Sequence, residues 1–148
     1  MDWQANLLTT PAQIQALLAR LHRVAILGMR TEQFADRPAF YVPEALLRLG
    51  LEIVPVTLHD QSVTHILGQP VYHTLSAIPG PIDLVDVFRR PADLPAHVDD
   101  ILTKRPGAVW LQLGIRHDAV AEQLARAGIA VVQDRCLMVE YRSAYRPR

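Results

Sequence analysis

The chain has 148 residues, of which half are hydrophobic and a fifth are charged, a composition typical of one globular domain and not of a disordered segment. Fifteen basic residues balance fifteen acidic ones, so no net field would draw the protein to nucleic acid or to an anionic membrane. A single cysteine, with no N-terminal signal pattern and no membrane-spanning apolar run, indicates a soluble, cytoplasmic protein. We therefore expect one domain over residues 1–148.

The first predicted element is an N-terminal helix over about residues 10–22. Thr10 is placed to cap it, Pro11 suits its first position, and Gln13 can complete a capping box. Apolar residues then repeat at helical spacing and predict one buried face, made of Ile14, Leu17, Leu18 and Leu21.

Five short apolar runs predict strands that are buried on both faces of a parallel sheet. They span residues 24–27, 53–56, 82–88, 108–111 and 130–132. Helical patterns lie between them: one ends at Gly50, one covers residues 94–102 and one ends at Gly128. This alternation predicts an α/β fold, a Rossmann-like three-layer sandwich with a five-stranded, possibly six-stranded, mostly parallel sheet.

Two segments leave alternatives open. The helix before Gly50 begins either near Pro43, or near Pro38 with Pro43 in its first turn, where the missing N–H costs little. Residues 59–80 are interrupted by glycines and prolines, so we expect a long excursion with a turn of helix over residues 63–67. Within it, Val71 and Tyr72 could form a short strand.

The ends of the predicted strands indicate where a ligand would bind. Parallel sheets bind ligands beyond the carboxyl ends of their strands, at the point where the strand order reverses. The first strand ends in one glycine, Gly28, where the dinucleotide fingerprint needs three. The second strand ends at Thr57 without the acidic residue that binds the ribose of NAD. A standard NAD loop is therefore disfavoured.

Arginines are concentrated at these strand ends. Arg30 and Arg37 follow the first strand, and Arg89 and Arg90 follow the third. Guanidinium groups beside free helix N–H groups make a good phosphate site. The alternative is that these arginines only solvate a surface, which is their commonest role.

Several strings along the chain resemble those of the small stand-alone CoA-binding protein family. The most specific are Asp-Val-Phe-Arg-Arg-Pro over residues 86–91 and Trp-Leu-Gln-Leu-Gly over residues 110–114. The likeness runs from about residue 20 to residue 142. This family is similar in fold to the N-terminal domain of the succinyl-CoA synthetase alpha subunit. The resemblance therefore implies coenzyme A, or an acyl-CoA, as the ligand at the strand ends.

The resemblance also assigns site residues. It places Gly28, Met29, Arg30, Arg37 and Pro38 around the CoA phosphates, and Pro55, Val56 and Thr57 along the adenosine part. It assigns the next wall to Val87, Phe88 and Arg89, and the far side to Gln112, Leu113 and Gly114. The chain departs from the family pattern twice. Met29-Arg30 stands where relatives commonly carry Leu-Ser or Ala-Ser, so the first loop loses a hydroxyl, and Leu137-Met138 stands where relatives carry Pro-Lys.

The remaining candidates favour structural roles. Cys136 is interpreted as partly buried packing, and the adjacent Asp99 and Asp100 as a solvated helix face. The six histidines have no metal-ligand spacing, so we expect no metal and no catalytic residue. The leading hypothesis is a non-catalytic CoA-binding or regulatory module, for which no protein partner is indicated. The alternatives are a nicotinamide-nucleotide oxidoreductase with an atypical first loop, a CoA-dependent transferase completed by a partner, or an interaction module with a decayed nucleotide cleft.

Overall fold

The structure, a computed structural model, describes residues 2–145 of the chain. Its strands are β1 (Arg23–Leu27), β2 (Glu52–Val56), β3 (His65–Ile66), β4 (Gln69–Pro70), β5 (Leu84–Val87), β6 (Ala108–Leu111) and β7 (Ala130–Val132). Its α-helices are α1 (Pro11–Leu18), α2 (Pro38–Arg48), α3 (Val98–Lys104), α4 (Asp118–Arg126) and α5 (Leu137–Ala144). Short 3-10 helices cover Trp3–Asn6, Glu32–Phe34 and Pro91–His97.

Five of the strands form one parallel sheet, in the order β2-β1-β5-β6-β7. The chain adds β2 on one side of β1 and then crosses to the other side for the remaining three strands. The strand order therefore reverses between β1 and β5, and such a reversal is where parallel sheets bind ligands. The predicted fold class, a Rossmann-like three-layer α/β sandwich, is confirmed with five strands in the sheet.

Helices cover both faces of the sheet, so the central strands β5 and β6 are buried on both sides. On one face, α1, α2 and α5 pack against side chains that include Ile26 and Trp110. On the other face, α3 and α4 pack against Val85 and Val109. The exception to this apolar pattern is Asp86 in the middle of β5, which is fully buried. Its neighbours across the sheet are Ile26 and Trp110.

All five apolar runs form strands, but the third is shorter than predicted. The prediction spanned residues 82–88, whereas β5 begins only at Leu84 and ends at Val87. Asp83 directly precedes the strand, and its carboxylate accepts hydrogen bonds from the backbone N–H groups of His22 (2.9 Å) and Arg23 (2.7 Å). It closes the amino edge of the sheet.

The N-terminal helix forms with its predicted cap. The Thr10 hydroxyl accepts a hydrogen bond from the Gln13 N–H at 3.2 Å, and the Gln13 side chain accepts one from the Thr10 N–H at 3.0 Å. The helix is shorter than the predicted span of 10–22, since α1 ends at Leu18 and a turn leads into β1.

The predicted turn of helix over residues 63–67 is wrong. This segment forms an antiparallel hairpin of β3 and β4, because Leu67 and Gly68 both adopt positive φ and reverse the chain between the strands. The possible strand at Val71 and Tyr72 is reduced to a single parallel bridge between Tyr72 and Val56, at the edge of the sheet.

Helix α2 begins at Pro38, which is one of the two predicted alternatives. Pro43, however, lies in the second turn of α2 and not in the first. Because proline has no N–H, it cannot bond to the carbonyl four residues earlier, that of Ala39. The N–H of Arg30 donates to that carbonyl at 3.1 Å. Pro43 therefore leaves free an acceptor that fastens the loop after β1 to α2.

Two further features differ from the sequence-based expectations. Helix α5 is absent from the predicted elements, and it packs its Leu137 fully into the core beside α1 and α2. The Asp100 side chain is not simply solvated. It accepts hydrogen bonds from the N–H groups of Leu75 (2.7 Å) and Ser76 (3.0 Å), because the loop before β5 crosses the face of α3.

Candidate functional site

An open cleft of about 680 Å³ lies at the carboxyl edge of the sheet, over the ends of β1 and β5. Its volume falls in the range of cofactor and small-molecule sites. The lining comes from the segments after the strands and from the first turn of α2: Gly28, Arg30, Arg37, Pro38, Ala39, Tyr41, Val42, His59, Phe88, Arg89, Arg90, Pro91, Gln112, Leu113, Gly114, Ile115 and Cys136.

Gly28 shapes the centre of the cleft, where β1 gives way to the first loop. Its φ is +89°, a conformation that side chains rarely adopt, and its N–H donates to the Val56 carbonyl at 2.9 Å. A Cβ at this position would lie 2.7 Å from the Phe88 carbonyl oxygen. The absence of a side chain thus lets the ends of β1 and β5 approach each other and keeps the floor of the cleft clear.

Arg30 is fixed by two contacts. Its N–H is bonded to Ala39, and its guanidinium lies over the Phe34 ring at 4.0 Å from the ring centre. Its Nε is buried and has no hydrogen-bond partner among residues 2–145. A buried charged donor without a partner is costly, so Arg30 is prepared to bind an acceptor that enters the cleft.

Arg37 is the residue before α2 and is exposed. Its guanidinium lies 5.7 Å from the centre of the Phe34 ring. Pro38 occupies the first position of α2, an eleven-residue helix whose positive end faces the cleft lining. An exposed guanidinium beside the positive end of a helix suits an anion.

Arg89 lines the cleft after β5, and its guanidinium is held by two side chains. Its Nε donates to His97 Nε2 at 3.2 Å, and its terminal nitrogen lies 3.7 Å from the Asp93 carboxylate. Burial, together with the charge of Arg89, lowers the pKa of His97, against smaller opposing contributions from Asp100 and Asp93. A neutral His97 keeps its Nε2 lone pair for Arg89, which fixes the guanidinium beside the Gly28 turn.

Gln112 supports the far side of the cleft. It is buried, and its side-chain oxygen accepts a hydrogen bond from the Leu137 N–H at 2.9 Å, which fixes the start of α5. The N–H of Gly114 donates to the Asp134 carboxylate at 2.6 Å. Between them, Leu113 is 69% exposed and gives the rim an apolar surface.

His59 follows β2 by three residues, is exposed, and lines the same cleft as Arg30 and Arg89. Burial, then the charges of Arg30 and Arg89, lower the pKa of His59. The imidazole is therefore neutral at neutral pH. The neighbouring Asp60 carboxylate accepts hydrogen bonds from the Ser62 N–H (2.9 Å) and hydroxyl (2.6 Å), which lower its own pKa and keep it ionised.

The structure brings most of the sequence-assigned site residues to this cleft and places the others beneath it. The lining includes the assigned Gly28, Arg30, Arg37, Pro38, Phe88, Arg89, Gln112, Leu113 and Gly114. The remaining five are buried in the strands or directly after them and do not line the cleft: Met29, Pro55, Val56, Thr57 and Val87. Their side chains pack within the sheet layers, so they support the cleft from below.

Sequence reasoning missed several lining residues. His59 and Cys136 lie in strand-end segments that the rule for ligand sites indicates, but neither was assigned to the site from the sequence. Tyr41 and Val42 lie one helical turn after Pro38, and their spacing on α2 is the signal that would have added them. Cys136 is half-buried in the cleft wall, as its structural interpretation anticipates, and directly precedes α5.

Two features of other protein classes are missing from the part of the chain that the structure describes. In residues 2–145, no three His, Cys, Asp or Glu side chains come together as a metal site would require. Over the same residues, no helix has the length and apolarity that crossing a membrane requires.

Comparison with known proteins gives concordant matches. The chain is 32% identical to the uncharacterised protein YneT of Bacillus subtilis over 130 residues, which is 88% of this chain and 93% of that protein. It is 38% identical to a solved Thermus thermophilus protein, cell-free ID.343, with a TM-score of 0.86 and coverage of 93% of this chain and 100% of the other. A hypothetical protein from Pyrococcus horikoshii OT3 matches at 26% identity, with a TM-score of 0.81 and 92% of each chain covered.

The family comparison covers most of the chain. Residues 22–142 match the family described as CoA binding domain, a span that contains the whole cleft lining. The chain therefore belongs to the CoA binding domain family.

Proposed function

We propose that the protein binds coenzyme A, or an acyl-CoA, in the cleft over β1 and β5, and that it acts as a non-catalytic binding or regulatory module. The observation that carries this proposal is that a CoA binding domain has its main cleft at the strand-order reversal, with Arg30, Arg37 and Arg89 in the lining. CoA carries a diphosphate and a ribose 3′-phosphate, and guanidinium groups are the side chains best suited to both.

The cleft lining suggests how the ligand would lie. The Gly28 turn, Arg30, Arg37 and the start of α2 are the proposed phosphate contacts, since they combine two guanidinium groups with the positive end of a helix. Phe88 and Arg89 form the second wall, and Gln112, Leu113 and Gly114 form the far side. The exposed Leu113 and Tyr41 would cover apolar parts of the ligand at the rim.

Nicotinamide-nucleotide binding is the less favoured alternative. The loop after β1 has one glycine, and Thr57 after β2 is buried, with its N–H donating to the Tyr72 carbonyl at 3.1 Å. NAD enzymes place three glycines in the loop after the first strand and a ribose-binding carboxylate at the end of the second, and this chain has neither pattern. The guanidinium-rich lining favours a ligand with more phosphate charge than NAD carries.

Isothermal titration with CoA, acetyl-CoA, NAD and ATP tests the proposal. We expect CoA and acetyl-CoA to bind at least tenfold more tightly than NAD, and CoA affinity to fall as salt is raised, because phosphate contacts are screened. Equal affinity for CoA and NAD, or no binding of CoA, would contradict it.

In a parallel assay, we expect no thioester synthesis or hydrolysis above background with CoA or acetyl-CoA and ATP. Turnover that is lost with a cleft substitution would overturn the non-catalytic part.

A further inference from the structure

His59 lies in the segment after β2, whose residue type distinguishes a ribose hydroxyl from a ribose phosphate in dinucleotide-binding sheets. In dinucleotide-binding folds, the segment after the second strand of the nucleotide half binds the ribose, through an acid for a free hydroxyl or through a basic residue for a phosphate. Here the His59 imidazole of that segment lines the cleft. The carboxylate of the next residue, Asp60, accepts a hydrogen bond from the Ser62 hydroxyl. The ligand-facing group after β2 is therefore basic.

Among His59, Arg30 and Arg89, only His59 can change its charge near neutral pH. Arg30 and Arg89 both act on His59 by their charge and line the same cleft. Arginine stays protonated at all working pH values, so neither arginine can adjust its charge to a ligand. His59 can, because its neutral form has one ring N–H and its protonated form has two.

We infer that His59 is a ligand-binding residue of this cleft, and that it takes one proton from the solvent when a phosphate group of the ligand enters beside Arg30 and Arg89. The inference rests on the proposed function. The phosphate offsets the two guanidinium charges that disfavour the imidazolium in the free protein, and it accepts the hydrogen bond that the added proton supplies. Only a proton moves: a second N–H bond forms on the imidazole, and the proton comes from the solvent or its buffer.

Thermodynamic linkage fixes the direction of the effect. Because burial and the two arginines lower the pKa of His59 in the free protein, and a bound phosphate raises it, the complex holds more protons than its separated components. Affinity therefore increases as pH falls between those two pKa values, by about tenfold for each unit that separates them. Above both values the imidazole is neutral in both states, and it contributes no pH dependence.

A second histidine limits the pH range that is informative. His97 accepts a hydrogen bond from Arg89, with Asp93 and Asp100 as its charged neighbours, and its protonation would remove that acceptor. This would loosen Arg89 and weaken binding at acid pH, which is the opposite sign. The pKa of His97 is lowered by burial, so it stays neutral between pH 6.5 and 8. The measurement belongs in that range.

Calorimetric titration of the full chain with CoA at pH 7, in two buffers of different ionisation enthalpy, counts the protons taken up. We expect His59→Gln to take up fewer protons than the unsubstituted protein, and to bind CoA about three- to tenfold more weakly at pH 6.5 but nearly equally at pH 8. Any proton lost from the ribose phosphate itself is common to both proteins and cancels in the difference. The matched control is His73→Gln, since His73 lies against Thr57 outside the cleft and should leave proton uptake unchanged.

Repeating the titration with 3′-dephospho-CoA identifies which phosphate lies beside His59. Uptake that disappears assigns the ribose phosphate, and uptake that persists assigns the diphosphate. Equal proton uptake by His59→Gln and the unsubstituted protein would overturn the inference while leaving CoA binding intact. Failure of the unsubstituted protein to bind CoA at all would instead overturn the proposed function.

Discussion

The two edges of the sheet use charged residues in opposite ways. At the amino edge, Arg23 is bound to Glu52 and donates to the Pro79 carbonyl at 2.6 Å, and the Lys104 ammonium donates to the carbonyls of Ile78 and Gly80. At the carboxyl edge, Arg37 is exposed, and the Nε of Arg30 is buried without a partner among the described residues.

This contrast teaches how to separate structural from functional charge. Cations that bond to the chain's own carbonyls have their donors satisfied and serve to close loops over the sheet. At the open cleft, Arg30 and Arg37 keep donors for something else, and Arg89 is held by the side chains of His97 and Asp93 and not by backbone carbonyls. Both edges contain arginines, so residue type alone does not distinguish them; the partners do. The four substitutions below test the contrast, from the largest expected effect to the smallest.

Gly28→Ala should have the largest effect, because it places a Cβ 2.7 Å from the Phe88 carbonyl oxygen and forces alanine to a φ of +89°. We expect a loss of roughly 2–4 kcal/mol in the free energy of unfolding and a loss of CoA binding. Urea denaturation and CoA titration measure the two effects.

Gly128→Ala is the matched control for this substitution. Gly128 has nearly the same φ, +87°, but no atom lies within 4 Å of the Cβ that would be added. Only the conformational cost of about 1 kcal/mol should appear, with CoA binding intact. Equal losses for the two variants would show that the close approach of the β1 and β5 ends is not what Gly28 provides.

Asp86→Asn tests the buried middle of β5, between the two edges of the sheet. Both carboxylate oxygens of Asp86 lack a hydrogen-bond partner among residues 2–145, and burial raises the pKa of Asp86 well above its usual range. The folded state thus binds this proton more tightly than the unfolded chain. The free energy of unfolding therefore falls as pH rises from about 4 towards the folded-state pKa, by about 1.4 kcal/mol per pH unit.

Asparagine, which has no proton to lose, should remove that part of the pH dependence. We expect Asp86→Asn to match the unsubstituted protein near pH 4 and to exceed it in melting temperature at pH 8. A variant that is less stable at pH 8 would show that Asp86 is ionised and has partners in solution.

Asp83→Ala tests the amino edge. It leaves the N–H groups of His22 and Arg23 without their acceptor, so we expect a loss of about 1–3 kcal/mol in stability. CoA affinity should stay within about twofold, because the substitution lies at the edge of the sheet opposite the cleft. Asp83→Asn, which keeps one acceptor oxygen, should lose less. A large fall in CoA affinity at unchanged stability would break the separation of the two edges.

Arg37→Ala tests the carboxyl edge and should affect binding alone. Removing one charge-assisted contact to phosphate should weaken CoA binding about tenfold, with little change in melting temperature because the residue is exposed. Arg48→Ala is the control, since Arg48 is exposed at the opposite end of the same helix. Arg37→Ala that titrates like Arg48→Ala would show that the phosphates lie elsewhere in the cleft.

The sequence predicts the sheet well because strands buried on both faces need continuous apolar runs, and five such runs are present. The hairpin after β2 is not predictable in this way. It depends on a positive φ at Leu67, which the residue type does not favour. Helix α5 escaped prediction because its first N–H, that of Leu137, donates to the side chain of a distant residue, Gln112, and the helix has no local side-chain cap.

The candidate site was predictable in position but only partly in composition. Strand ends indicate which segments meet at the cleft, and those segments include most of the lining. Which side chains in them face the cleft depends on packing against the neighbouring layer. Met29 and Thr57 turn into the core, whereas His59 two residues later faces the ligand space. That difference arises from tertiary contacts that no local pattern encodes.

Backbone amide NMR during a CoA titration tests the central claim most directly, because it reports both edges of the sheet in one experiment. We predict that saturable shift changes are concentrated at Gly28, Arg30, Arg89 and Gly114, around the carboxyl edge. The amides of Arg23 and Asp83 at the amino edge should remain unchanged. Shift changes centred on the amino edge, or none at CoA concentrations that saturate a micromolar site, would contradict the account.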